Sequence, residues 1–150
     1  MSYNGDPILF EPITAVTATA STELGIRRKV GDKKYVYIYN GGSADATPGI
    51  GMTVLTAAVG VNTLSASATA GHVIKCFTIA TIPAASYGWG LVEGPVTISC
   101  NSNSSSLDLG SQQAGAGGIC KTLTTNGYPV GNLNTAVVSG NTGLLWVQLP

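Results

Sequence analysis

Where the chain carries a legible hydrophobic pattern, the repeat is two residues, the period of a β-strand. The plainest case runs from Ile82 to Ile98. Tyr87, Trp89 and Leu91 fall on one side and Gly88, Gly90 and Val92 on the other. Glu93-Gly94-Pro95 interrupts the alternation, and Val96 and Ile98 resume it on a common side. This pattern predicts a hairpin with an aromatic face, reversed at Glu93–Pro95. The glycines opposite the aromatics leave bare backbone that a neighbouring strand or chain can approach closely.

A second hairpin is predicted from Glu23 to Tyr39, with Gly31-Asp32 as a two-residue turn. Its return strand sets Tyr35, Tyr37 and Tyr39 against Val36 and Ile38, so neither face is polar. Such a strand is either central in a sandwich or covered on its outer side by another subunit. His72 to Ala80 sets Lys75, Phe77 and Ile79 against Cys76, Thr78 and Ala80. Leu144 to Leu149 sets Leu145, Val147 and Leu149 against Leu144, Trp146 and Gln148, a closing strand built into the sheet. Between these runs, Asn40 to Gly51 is glycine and proline punctuation, and Gly51 to Thr69 is apolar and β-leaning.

Two stretches lack a period. In residues 1–22, Pro7 and Pro12 flank Ile8-Leu9-Phe10, which disfavours a helix and suits an extended arm or an edge strand. Such an arm either seats Leu9 and Phe10 in a groove on another molecule or folds back as the first strand of its own domain. Residues 99–118 are rich in serine, asparagine and glycine and predict a surface excursion, with Leu107 and Leu109 as a short staple. The expected architecture is all-β, a small antiparallel β-barrel or β-sandwich. An extended N-terminal arm (1–22) precedes a single β domain (23–150) that carries the excursion.

Composition narrows the function classes. At 150 residues the chain is one domain with room for a sizeable core. Charged residues are 9% of it, against about 25% in ordinary domains. Seven basic and seven acidic residues cancel, so no overall field draws the chain to nucleic acid or to an anionic membrane. No apolar run approaches the ~20 residues of a membrane span, and Met1 to Pro7 has no basic start leading into an apolar leader. An exterior this poor in charge is either covered by partners or a neutral, soluble surface. Five of the seven positive charges, Arg27, Arg28, Lys29, Lys33 and Lys34, gather around Asp32. They form a docking patch for an acidic surface or a solvated hairpin tip; nothing elsewhere extends them into a nucleic-acid footprint.

Catalytic patterns are missing. His72 has no second histidine to form a metal pair, the carboxylates are scattered, and there is no Gly-x-Ser-x-Gly or Cys-x-x-Cys. Gly115 to Thr122 is a near miss to a phosphate loop, with Cys120 where the glycine before the lysine belongs. Asn103-Ser104-Ser105 fits a glycosylation pattern that a chain without a leader has no use for. Cys76, Cys100 and Cys120 lack metal spacing; Cys100 and Cys120 are either joined or inert thiols. No enzyme activity, cofactor or metal is expected.

Three segments taken together resemble a known family. They are Leu24-Gly25-Ile26-Arg27 with the Gly-Asp turn and Lys34 to Tyr39; Ile82 to Trp89 with Val92 to Val96; and Pro129-Val130-Gly131 with Ala136 and the Gly143–Leu149 strand. Together they resemble the small capsid-decorating (cement) proteins of tailed bacteriophages. The resemblance implies a non-enzymatic, commonly trimeric β protein on the outer capsid surface, made in the bacterial cytoplasm, with the major capsid protein and its own copies as partners. In that reading Leu9, Phe10, Arg27, Arg28, Lys29, Lys33 and Lys34 contact the capsid. Tyr35, Tyr37, Tyr39, Tyr87 and Trp89 lie between subunits or, alternatively, form an ordinary core. A rival reading is a tail or fibre module that stacks host-surface glycan on Tyr35, Tyr37, Tyr39 and Trp89.

Overall fold

The computed structural model describes residues 11–54, 63–66, 74–99, 109–112, 120–122, 128–133 and 142–149. The strands are β1 (Arg27–Val30), β2 (Lys33–Asn40), β3 (Gly51–Val54), β4 (Thr63–Ala66), β5 (Ile74–Thr78), β6 (Ser86–Ser99), β7 (Leu109–Gln112), β8 (Cys120–Thr122), β9 (Tyr128–Leu133) and β10 (Thr142–Gln148). They form one sheet in the order β1-β2-β4-β3-β5-β6-β10-β9-β7-β8. Every pairing is antiparallel except β2 with β4. The all-β expectation therefore holds. An additional β2–β6 pairing joins β2, β4, β3, β5 and β6 into a ring of paired strands, from which β10, β9, β7 and β8 extend as an open sheet.

The core lies on both sides of the β2–β6 pair. Tyr35 and Tyr37 join Trp89, Leu91, Val96, Ile98, Leu145 and Val147 in one cluster. Val36 and Ile38 join Met52, Cys76, Ile82 and Val92 in the other. The strand that looked apolar on both faces is thus central within its own chain. Each fully buried aliphatic side chain here contributes on the order of 1.5–3 kcal/mol.

β6 corrects the predicted hairpin. It is one continuous strand of 14 residues, pairing with β2 along Ser86–Glu93 and with β10 along Glu93–Ser99. Glu93-Gly94-Pro95 shifts the alternation instead of reversing the chain. Opposite β2, the register steps from Leu91–Tyr35 to Glu93–Lys34, leaving Val92 as the extra residue of a bulge. Trp89 and Leu91 therefore enter the first cluster from odd positions, and Val96 and Ile98 from even ones. Gly94 completes the irregularity with φ at +118°, a conformation that L side chains rarely adopt.

The expected N-terminal arm is also corrected over its described part. Thr17 bridges Tyr87 through two backbone hydrogen bonds of 3.1 and 2.8 Å. Ile13 packs on the first cluster and Val16 on the second. Residues 11–22 therefore lie against the domain, held by a single bridge and not as a strand of the sheet; Leu9 and Phe10 lie outside the described residues. The 99–118 stretch contains β7, hydrogen-bonded to β8 and β9, so part of the expected excursion belongs to the sheet. His72 and Cys100 also lie outside the described residues, as do the side chain of Cys120 and most of the Gly115–Thr122 near miss.

Two buried polar side chains fix the connections. Asn40 Nδ2 donates to the Ala44 and Ile82 carbonyls at 3.0 and 2.8 Å, and its Oδ1 accepts from Gly42 N at 3.1 Å. Thr78 Oγ1 donates to the Thr47 carbonyl at 2.5 Å and accepts from Ile50 N at 3.1 Å. These bonds satisfy loop backbone that the sheet ladder leaves open.

Cys76 is buried and free, and burial pushes its thiol well above the ordinary range. Above about pH 8.5 an unfolded thiol ionises while the native one keeps its proton, so the unfolded state binds fewer protons and stability falls as pH rises. Tyr35, raised by burial and then by the Asp32 charge, adds to the loss from about pH 10. In a Cys100→Ser/Cys120→Ser background, the expected decline approaches ~1.4 kcal/mol per pH unit above the thiol's unfolded pKa. Urea midpoints measured between pH 7 and 10 check it, with the thiol unreactive to a disulfide reagent until the chain unfolds.

Candidate binding surface

The basic hairpin forms as the sequence predicts. β1 and β2 pair from Arg27–Val36 to Val30–Lys33, with Gly31-Asp32 as the turn. Its cations differ in setting. Arg27 and Lys29 are exposed, while Arg28, Lys33 and Lys34 are half-buried. Arg28 donates to the Glu11 carbonyl. Lys34 Nζ pairs with Glu93 Oε2 at 2.5 Å, but both groups remain open to water, so the pair contributes at most ~1 kcal/mol. Lys33 lies across Gly94, where an added Cβ would come within 2.9 Å of its Cγ. Lys29 and Lys34 stand directly opposite each other, a like-charge pair that costs stability.

The aromatic residues make a ladder inside the chain. Tyr37 faces Trp89 across β2–β6 with ring centroids 5.1 Å apart and planes tilted by 59°. Tyr87 stacks on Tyr37 at 6.2 Å and meets Tyr39 at 4.7 Å. The Tyr37 hydroxyl accepts from Ser21 N at 3.1 Å and from Ser21 Oγ at 3.0 Å, which ties the docked segment to the core. Tyr35, Tyr37 and Trp89 are 2%, 1% and 1% exposed. Rings enclosed to that degree offer nothing to a second subunit or to a sugar. Only Tyr39 and Tyr87, half-buried, keep some surface.

A second feature escaped the sequence reading. β10 alternates without exception, burying Leu145 and Val147 and exposing Thr142, Leu144, Trp146 and Gln148. The signal was present, since the two sides of the strand were legible; nothing local marked which side faced water. Leu144 is 37% and Trp146 47% exposed. Trp146 stands opposite Pro95 and Gln148 opposite Glu93, with no shift of register. An open groove of about 490 Å³, whose lining includes Lys33, Pro48, Ile79, Pro95 and Leu144, borders this face. No group of histidine, cysteine and carboxylate side chains that could hold a metal occurs among the described residues.

No family model and no curated protein matches the sequence. Among solved structures, the N base of the head fiber gp8.5 of bacteriophage phi29 aligns with a TM-score of 0.55, over 76% of this chain and 94% of that one. The chain shares its fold with a phage head-fiber base. Identity across the match is 9%, so the likeness lies in the path of the backbone and not in matching side chains. No helix among the described residues is long and apolar enough to cross a membrane.

Proposed function

We propose that this protein is a non-enzymatic structural component of a bacteriophage virion, attached to the outer face of the assembled capsid as a homotrimer and bridging neighbouring capsid subunits. The observation that carries the reading is the fold held in common with a head-fiber base, joined to a hairpin that gathers five of the chain's seven positive charges. The partner is the major capsid protein, met through acidic surface. Arg27, Arg28, Lys29, Lys33 and Lys34 supply the complementary charge, and Leu9 and Phe10 the apolar anchors. A ligand that binds the intact lattice and not its free subunits stabilises the lattice by mass action, and several weak contacts on one trimer add through effective concentration.

The test mixes the purified protein with emptied shells of the cognate phage and with unassembled capsid protein, followed by sedimentation. Binding to shells alone, and shells that withstand higher temperature when decorated, are the expected results. Lys29→Glu combined with Lys33→Glu is expected to weaken binding roughly tenfold at low salt, with the gap closing as salt rises. Removal of residues 1–10 is expected to lower occupancy further. A monomer by light scattering that leaves shells bare would overturn the proposal.

A further inference from the structure

The exposed indole on β10 sits in surroundings that a folded protein partner would find too small and a sugar would not. Trp146 leaves on the order of 100 Å² open, and among the described residues Leu144 and Pro95 extend that apolar surface to well under the size of a protein interface. A stable protein interface needs about 800 Å² from each partner, with a wide apolar centre. Away from Pro95 and Leu144, the same face turns polar, with residues placed in register. Two residue pairs along the strands, about 7 Å away, Gln148 and Glu93 stand side by side on the same outer face. Lys34 holds the Glu93 carboxylate through its ion pair, so an ammonium, a carboxylate and an amide gather at one end of the strands that carry the indole.

That arrangement matches the surface of a pyranose. One face of the ring presents C–H groups that lie flat on an indole, and its edge presents hydroxyls that both donate and accept. A carboxylate and an amide oxygen accept from such hydroxyls, while an ammonium and an amide nitrogen donate to them. On the other side, the apolar surface runs through Pro95 and Leu144 into the groove, whose volume of about 490 Å³ lies in the range of small-ligand sites. We infer that the outer face of β6 and β10 is a saccharide-binding site, with one sugar ring stacked on Trp146, its hydroxyls on Glu93, Gln148 and Lys34, and the next unit entering the groove beside Leu144. The glycan-binding chemistry that the sequence attached to Tyr35, Tyr37, Tyr39 and Trp89 belongs instead to the exposed indole. This inference goes beyond capsid attachment and does not depend on it.

The experiment probes the whole chain on a printed array of neutral and uronic-acid oligosaccharides, then titrates the best-retained sugar against wild type, Trp146→Ala, Trp146→Phe and Gln148→Ala. Wild type is expected to bind. Trp146→Ala is expected to weaken binding at least about tenfold, Trp146→Phe less, and Gln148→Ala by several-fold. The chain has two tryptophans, and Trp89 is buried, so acrylamide quenching reads Trp146 directly; bound sugar is expected to shield it. No retained sugar, or retention that Trp146→Ala leaves unchanged, overturns the inference. So does a Trp146→Ala protein that loses shell binding or its oligomeric state while wild type ignores every sugar. That outcome would make the face a protein contact.

Discussion

Replacing Trp89 by alanine is expected to lower the unfolding free energy by about 3–5 kcal/mol, a large share of the 5–15 kcal/mol that holds a typical domain. Trp89 is the largest of the fully buried side chains and lies against Tyr37 in the first cluster, on the strand that every part of the core shares. Its removal leaves a hole bounded by residues of β2 and β6, and both strands carry further core contacts that resist collapse into it. The indole nitrogen finds no hydrogen-bond partner among the described residues. Trp89→Phe therefore loses volume but also removes a buried donor without an acceptor, and is expected to cost less than half as much as alanine. Urea midpoints for the two variants check the ordering. Equal losses would mean that the ring's bulk matters less than its edge.

Gly90→Ala is the second large effect, and it has the opposite cause. A Cβ at residue 90 would stand 2.3 Å from Cys76 Sγ and 2.7 Å from Cys76 Cβ. Neither atom can retreat, because Cys76 is itself fully buried in the second cluster. The added methyl must push β5 and β6 apart where Thr78 pairs with Gly90, at a cost of about 1–3 kcal/mol or more. Cys76→Gly removes both obstructing atoms. The double variant is therefore expected to recover part of what Gly90→Ala loses, despite its own cavity, and a double-mutant cycle isolates the coupling. Additive losses would show that the strands separate freely.

These two neighbours show what could be read in advance. The sequence placed Trp89 and Gly90 on opposite sides of one strand, and the structure has them there. The bare backbone at Gly90 was expected to admit a neighbour, which proves to be the Cys76 side chain on β5. Side was legible; depth was not. Alternation assigns Tyr35, Tyr37 and Trp89 to one face, but whether a second subunit or the chain's own β10 covers them depends on contacts remote in sequence. The same limit explains Glu93-Gly94-Pro95. A chain reversal and a bulge both break the two-residue repeat and both favour glycine. The difference is made by β10, which pairs with Glu93 to Ser99 and draws the strand onward.

The surface was legible in part. The Gly31-Asp32 turn and its cations follow from local sequence, because a two-residue hairpin fixes its own register. Lys34's partner, Glu93, is remote in sequence and was not foreseen. Trp146 was placed on its strand but not on the outside, since large apolar residues stand on both sides of the repeat. Only the first cluster, closing on Leu145 and Val147, decides which side faces water.

The bulge at Val92 has a consequence for the order in which the molecule is made. Half of β6 is registered by a strand synthesised long before it and half by one synthesised long after, so a growing polypeptide that has delivered β6 still has no lid for Val96 and Ile98. Until Leu145 and Val147 arrive, those side chains stay wet, and the nascent chain presents sticky surface to its own kind and to chaperones. Translation has to run through β10 before the protein can become itself.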